Sequence, residues 1–358
     1  MRIDLRSDTA TRPTAAMRQA MAAAEVGDEQ LGEDPSVARL CARVADLLGQ
    51  PAALFLPSGT MCNLIAVAVH CRPGDEILAA EASHLFNAEA GGPAAIVGAQ
   101  IRPLPGDRGR FTADEVAARL RPPRHRAPRS RLVAIEQTVN EGGGAVWSPT
   151  AMAEVATTAR AAGLAVHVDG ARLLNATVAL GLAPAVFGRL ADSVWIDLSK
   201  GLGCPIGGVL AGDAAFIEAA WTWKHRLGGA MRQAGIAAAA GLHALDHHVE
   251  RLALDHANAR DLARLLAAIP GVRMLHDMVD TNIVFFDVAD TGWNAGALAA
   301  ALAEDGVGVG PRGTTGLRAV THLDVSATDI AEAARLIAQR LAHSPATARD
   351  EVAHVRPA

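Results

Sequence analysis

Lysine is scarce in this chain: of 33 cationic side chains only Lys200 and Lys224 are lysines, and all the others are arginines. Arginine stays protonated, whereas a desolvated lysine can present a neutral, nucleophilic amine. A lysine kept in so arginine-biased a sequence is therefore a candidate for chemistry that a guanidinium cannot perform, although a solvated surface charge would account for either residue equally well. Lys200 follows the apolar run Ser193-Val194-Trp195-Ile196-Asp197-Leu198 and precedes Gly201-Leu202-Gly203. This puts it at the carboxyl end of a strand, where open α/β sheets bind ligands, beside glycines that let a cofactor approach. A lysine desolvated there can attack an aldehyde. Its ordinary structural use is as a turn residue.

Other residues extend this reading. Asp169 closes the run Leu164-Ala165-Val166-His167-Val168 and precedes Gly170-Ala171-Arg172, which leaves room for one helix and one strand before Lys200. A carboxylate so placed can keep a pyridine nitrogen protonated, the condition under which a pyridoxal ring withdraws electrons. An Asp-Gly pair is also a common turn. Ser58-Gly59-Thr60 opens a helix and offers hydroxyls and unpaired N–H groups to a phosphate, or simply caps the helix. His84 follows another strand end and suits stacking on a planar ring or proton transfer. Arg172 and Arg318 are each able to grip a carboxylate in bidentate fashion; among so many arginines, only position distinguishes them.

The elements that must place these residues alternate. Helical spacing runs over Pro35 to Leu48, Met61 to Cys71, Ala113 to Leu120 and Pro149 to Ala162. Strand-like runs fall at Ala52 to Leu56, Glu76 to Ala79, Ala95 to Val97, Leu132 to Glu136, Ala165 to Val168, Val194 to Asp197 and Gly208 to Ala211. Such alternation predicts an α/β fold with a mainly parallel seven-stranded sheet covered by helices on both faces. From about Ala230 an alanine-rich helix runs in broken form to Ile269. Strands at Val272 to Leu275, Asn282 to Asp287 and Leu317 to Val320 and helices at Ala295 to Glu304 and Ala327 to Ala342 then form a smaller α+β domain. The expected division is 1–248 for a large domain with its N-terminal segment, 249–343 for the small domain, and 344–358 for a loosely ordered tail.

Composition narrows the classes. With Lys+Arg 33 against Asp+Glu 38 the net charge is −5, which gives no basic surface for nucleic acid. Half of the residues are hydrophobic, enough for a substantial core. The four cysteines make no C-x-x-C pair, the N-terminus has no apolar signal-like stretch, and the charge-free stretch from Leu47 to Cys71 is broken by Pro51 and Pro57-Ser58-Gly59-Thr60. A cytoplasmic protein without membrane partners is the expectation. No Walker loop, H-E-x-x-H or zinc spacing is present, so no metal site is expected.

A phosphate cradle, a strand-end aspartate and then a strand-end lysine is the order of fold-type I pyridoxal-phosphate enzymes, and longer motifs narrow the likeness. Ile3-Asp4-Leu5-Arg6-Ser7-Asp8-Thr9, Gly32-Glu33-Asp34-Pro35, Pro57-Ser58-Gly59-Thr60-Met61, Ser83-His84, His167-Val168-Asp169-Gly170-Ala171-Arg172, Leu198-Ser199-Lys200-Gly201-Leu202-Gly203, Gly229-Ala230-Met231-Arg232-Gln233-Ala234-Gly235 and Arg318-Ala319-Val320-Thr321-His322 occur in that order. The sequence resembles the low-specificity threonine aldolase family from residue 3 to about residue 340. The resemblance implies that Lys200 carries pyridoxal 5'-phosphate and that Asp169 pairs with its ring nitrogen. Ser58, Gly59 and Thr60 would hold the phosphate, and His84 would stack over the ring near the substrate β-hydroxyl. Ser7, Arg172 and Arg318 would bind the substrate carboxylate. Arg232 would reach the phosphate of a neighbouring subunit in a homodimer or homotetramer with shared sites.

The implied activity is retro-aldol cleavage of L-threonine, L-allo-threonine or a related β-hydroxy-α-amino acid to glycine and an aldehyde. β-Elimination, racemisation, transamination or a non-catalytic role are the competing readings. Departures from the family pattern cluster at the pocket rim. Leu31 stands where relatives usually carry tyrosine, Asn87-Ala88 replace an aromatic, and Arg126 beside His125 and Val139 stand where histidines are common. His225 aligns with a phosphate-side lysine, with Lys224 next to it as a substitute.

Overall fold

A computed structural model describes residues 1–122 and 124–343; the tail expected over 344–358 lies outside the described residues. A seven-stranded sheet is ordered Ala52–Leu56, Gly208–Gly212, Ser193–Asp197, Ala165–Asp169, Arg129–Glu136, Asp75–Ala80, Gln100–Leu104. All strands run the same way except Gly208–Gly212, which is antiparallel to both neighbours. The interior strands Ser193–Asp197, Ala165–Asp169 and Asp75–Ala80 are almost wholly buried, as a sheet covered on both faces requires. The largest hydrophobic cluster gathers Leu40, Phe55, Ile135, Trp147, Val168 and Ile196, among others, around this sheet.

One expected strand is displaced. Ala95 to Val97 belongs to a helical turn over Pro93–Val97 that ends at Gly98 with φ +72°. The edge strand is Gln100–Leu104, where Pro103 is tolerated because an edge leaves one side of the backbone unpaired. The alanine-rich run from Ala230 resolves into two helices, Gly235–His247 and Leu252–Ala267, with 228–234 as a loop. Two further helices escape an apolar-periodicity reading. Leu173–Leu180 is short and apolar nearly all round, and the inward stripe of Ala214–Arg226 (Phe216, Ile217, Ala220) ends on a buried Lys224.

Beyond Pro270 an antiparallel sheet is ordered Gly310–Arg312, Gly316–Val320, Ile283–Asp287, Arg273–Met274, covered by helices Ala295–Glu304 and Ala327–Leu341. Its core includes Leu262, Phe286, Leu298, Leu317 and Ile337, and also Ile3 and Leu5 from the N-terminus. The two-residue strand Ile3–Asp4 pairs in parallel with Val307–Gly308. The segment that follows then crosses to the large sheet, where Thr11 Oγ1 donates to the Lys200 carbonyl at 2.8 Å. No helix among the described residues is long and apolar enough to cross a membrane.

Candidate active site

The carboxyl ends of the parallel strands converge on one cavity of about 400 Å³. Ser7, Ser58, Gly59, Thr60, His84, Asp169, Arg172, Lys200 and Arg318 all line it. Of the residues singled out in the sequence, Arg232 stands apart: its side chain is 61% exposed and pairs with Asp28 at 2.7 Å.

The floor is built by neighbouring strand ends. Asp169 ends its strand with Oδ1 accepting from the Ala171 N–H at 3.0 Å and Oδ2 from Asn63 Nδ2 at 2.7 Å. Two donors on fixed backbone and helix thus set the plane of this carboxylate. Lys200 lies three residues past the next strand, with Nζ 3.1 Å from Asp197 Oδ2. Asp197 is itself oriented by the Ser199 N–H and hydroxyl at 2.7 and 2.8 Å. The amine therefore stands beside a carboxylate rather than in an apolar recess.

On the opposite wall, the helix Gly59–His70 points its N-terminus at the cavity. The Ser58 hydroxyl accepts from the Met61 N–H at 3.2 Å, so Ser58 serves as the cap. The first-turn N–H groups of Gly59 and Thr60 have no acceptor within their own helix and carry the positive end of its dipole. Glycine is needed at 59, since a Cβ there would fall 2.2 Å from the Trp195 ring. The short helical turn His84–Asn87, which follows strand Asp75–Ala80, supplies His84. Its Nδ1 hydrogen-bonds to Glu89 Oε1 at 2.8 Å, which leaves Nε2 as the ring nitrogen for the cavity. The Glu89 hydrogen bond, outweighing burial, raises the His84 pKa above its ordinary value.

Glu136, at the end of its strand, accepts the His84 backbone N–H at 2.6 Å and that of Asn140 at 2.7 Å. Burial, reinforced by the nearby Asp169, pushes its carboxyl up to about 7.

Arg172 and Arg318 meet at the third side. Arg172 is clamped by Asp8, with Nε and Nη2 each 2.7 Å from a carboxylate oxygen. Only Nη1 remains, and it reaches Asn140 Oδ1 at 3.4 Å; Arg318 Nη1 reaches the same oxygen at 2.8 Å. A single amide oxygen thus sits where two guanidiniums converge, the arrangement that an incoming carboxylate would occupy. Arg318 Nε is buried without a partner among the described residues. Burial and the adjacent Arg312 and Arg172 lower the Arg318 pKa to about 10.

Several lining residues went unread in the sequence: Glu89, Glu136, Asn140, Glu141, Trp195, Asp197 and Arg312. Glu136 and Asp197 carry a signal that was available, since each is an acid closing an apolar strand just as Asp169 does. Lys224 is not free to replace a phosphate-side lysine. It is fully buried, ion-paired with Glu29 and bonded to the Phe55 carbonyl at 2.8 Å. His125 lines a separate groove with Leu120 and Ala162 instead of the cavity, Leu31 is exposed, and Val139 is buried in the core.

The donor set fits pyridoxal phosphate. One amine, one carboxylate with a fixed plane and one helix N-terminus edge the same cavity, matching the aldehyde, ring nitrogen and phosphate of that molecule.

Comparison with known proteins agrees with this geometry. Residues 4–291 match the family described as Beta-eliminating lyase. The chain is 42% identical over 335 residues to the low specificity L-threonine aldolase of Escherichia coli (strain K12), covering 93% of this chain and 97% of that one. It is 40% identical over 333 residues to low-specificity L-threonine aldolase 1 of Arabidopsis thaliana, covering 92% and 93%. Among solved structures, Leishmania major threonine aldolase superposes with a TM-score of 0.81 at 21% identity over 95% of this chain and 99% of that one. Serine palmitoyltransferase from Sphingomonas wittichii, with a TM-score of 0.73 at 18% identity over 94% and 86%, shares the fold. The chain belongs to the Beta-eliminating lyase family and, within it, to the low-specificity threonine aldolases.

Proposed function

We propose that this protein is a pyridoxal-phosphate-dependent aldehyde-lyase that cleaves L-threonine, L-allo-threonine or a related β-hydroxy-α-amino acid to glycine and an aldehyde. The observation that carries this reading is the convergence, in one cavity, of Lys200, Asp169, His84 and two arginines that share one oxygen. When bound, pyridoxal phosphate supplies a ring that accepts the electron pair left at Cα as the Cα–Cβ bond breaks. Lys200 would hold the cofactor, and Asp169 would keep its ring nitrogen protonated. Gly59 and Thr60 hold the phosphate through first-turn N–H groups, with Ser58 capping the helix behind them.

Arg318 and the Nη1 edge of Arg172 take the substrate carboxylate, displacing the Asn140 oxygen, with Ser7 alongside. Fixing the carboxylate turns the Cα–Cβ bond toward the face lined by His84, so that this bond is the one that breaks. His84 Nε2, or a water held by it, removes the β-hydroxyl proton, with Glu89 holding the ring through Nδ1. A homodimer or homotetramer in which Arg232 reaches the neighbouring phosphate, a division into 1–248 and 249–343, and a cytoplasmic location complete the reading.

The test is product analysis of the purified protein, supplied with cofactor, on a panel of β-hydroxy-α-amino acids. Glycine and aldehyde in equal amounts are expected, with none from Lys200→Ala. Pyruvate, an oxo acid, the opposite enantiomer or no product from the wild type would overturn the aldolase reading.

A further inference from the structure

The helix Gly59–His70 reads Gly-Thr-Met-Cys-Asn-Leu-Ile-Ala-Val-Ala-Val-His, an apolar run that nevertheless buries an asparagine. A buried amide requires partners on both its ends. Asn63 Nδ2 donates to Asp169 Oδ2 at 2.7 Å and to Glu89 Oε1 at 2.8 Å. Asn63 Oδ1 accepts from Trp195 Nε1 at 2.7 Å and faces His167 Nε2 at 3.0 Å. An indole nitrogen can only donate, so the orientation of the amide is dictated by its partner.

The remaining protons follow in order. His167 must carry its proton on Nε2, which leaves Nδ1 to accept from the Ser193 hydroxyl at 2.8 Å. Ser193 Oγ, its own proton used, accepts from His70 Nε2 at 2.9 Å. Burial lowers the His167 pKa to about 3 and the His70 pKa to about 4, so both rings are neutral at physiological pH, as this sequence of donors demands. The chain runs one way, from His70 stacked on Phe216 to the carboxylates at the cavity floor.

We propose that Asn63 is a positioning residue: its amide, oriented by Trp195 and by the His70–Ser193–His167 chain, clamps the Asp169 and Glu89 carboxylates side by side. Reactive atoms of His84, Glu89 and Asp169 lie within 4.8 Å of one another. Two carboxylates so close in a buried site repel strongly. Asn63 gives one N–H to each and adds no charge, so Asp169 stays aligned at the floor while Glu89 stays aligned under His84. One amide thus couples the residue assigned to the cofactor ring with the partner of the residue assigned to the substrate hydroxyl. The roles at ring and hydroxyl rest on the function proposed above, whereas the hydrogen-bond chain does not.

The test uses the full-length chain, stripped of cofactor and then reloaded. Asn63→Leu keeps the volume and removes both donors. The acidic groups that face His84 are Glu89, Asp169 and Glu136. With Asn63 gone, Glu89 has lost a competing donor, and the His84 ring titration followed by NMR is expected to move up by about one pH unit. Affinity for pyridoxal phosphate, measured by equilibrium dialysis, is expected to weaken by about tenfold or more. A folded variant with both quantities unchanged would overturn the proposal.

The wild type provides a second check that holds even if the variant does not fold. Nitrogen chemical shifts of His167 are expected to report a neutral Nε2–H ring from about pH 5 to about pH 9. A cationic ring or the Nδ1–H form would break the chain and refute it. None of these measurements uses turnover, so a failure of the aldolase reading would leave them intact and distinguishable.

Discussion

Replacing Asp8 by asparagine probes the contact that ties the N-terminal segment to the catalytic floor. Asp8 is fully buried, the Arg172 side chain is 5% exposed, and the two are joined by paired 2.7 Å hydrogen bonds. Asn282 adds a third donor to Asp8 at 3.2 Å. Asparagine keeps the shape but turns one acceptor oxygen into an NH₂ that faces guanidinium donors, and it leaves a buried cation without its counter-charge. Removing one partner of such a pair costs about 3–5 kcal/mol. The pH dependence has a definite sign. Burial pushes the Asp8 carboxyl up, but Arg172, helped by Lys200 and Asn282, more than offsets this and holds it well below its ordinary 3.8. A depressed carboxyl contributes stability that is complete above the unfolded pKa and is lost as pH falls toward the folded one. Urea unfolding at pH 7 should therefore show Asp8→Asn less stable by about 3–5 kcal/mol, with the deficit beginning to shrink only below about pH 4. The KM for the amino acid should rise as well, because Arg172 loses the clamp that aims Nη1. A deficit under about 1 kcal/mol, the scale of an exposed ion pair, would refute the reasoning.

Other expectations follow from the same geometry. Lys224→Met strands Glu29 in the core and should lower stability by about 3–5 kcal/mol, with Glu29→Gln in the same chain recovering part of that loss; equal instability of the double variant would contradict it. Glu136 has a folded pKa of about 7 against 4.5 unfolded. The folded state therefore binds more protons between those values, and stability should fall as pH rises through that window by up to about 3 kcal/mol, a slope that Glu136→Gln should flatten in urea unfolding. His84, raised above its ordinary 6.5 mainly by Glu89, must be neutral to accept a proton. The rate kcat/KM should accordingly rise with pH through a midpoint above that value, and His84→Asn should lose this limb together with about a hundredfold or more in kcat. A variant that kept the limb would remove His84 from the role.

Much of this architecture is legible in sequence because the residues of the cavity floor lie at or just past the end of a short apolar run. Asp169 closes Ala165–Asp169, and Lys200 follows Ser193–Asp197. Since strands in a mainly parallel sheet end on one edge, finding the strands also gathers these residues. Legibility fails where an interior position holds a polar group. Asn63 and Lys224 look like interruptions of apolar helices, and only the fold shows that their partners, Asp169 and Glu29, come from distant segments. Asn140 is unreadable for the same reason, and the N-terminal motif that holds Asp8 brings it into the resemblance without revealing which arginine it faces. The Ala95 to Val97 run misleads because apolar residues over so short a stretch suit a strand or a helical turn equally, and the choice is made by Pro93 and Gly98 on its flanks.

The central claim, that Lys200 is the amine that carries the cofactor, has a direct test because the chain holds only two lysines. Protein loaded with pyridoxal phosphate is reduced with borohydride, which fixes the cofactor to whichever amine holds it, and its peptides are weighed. The account predicts label on the peptide containing Lys200, none on the peptide containing the buried Lys224, and loss of the visible absorbance band in Lys200→Ala. Label on Lys224, or an unlabelled Lys200 in protein that retains that band, would contradict it.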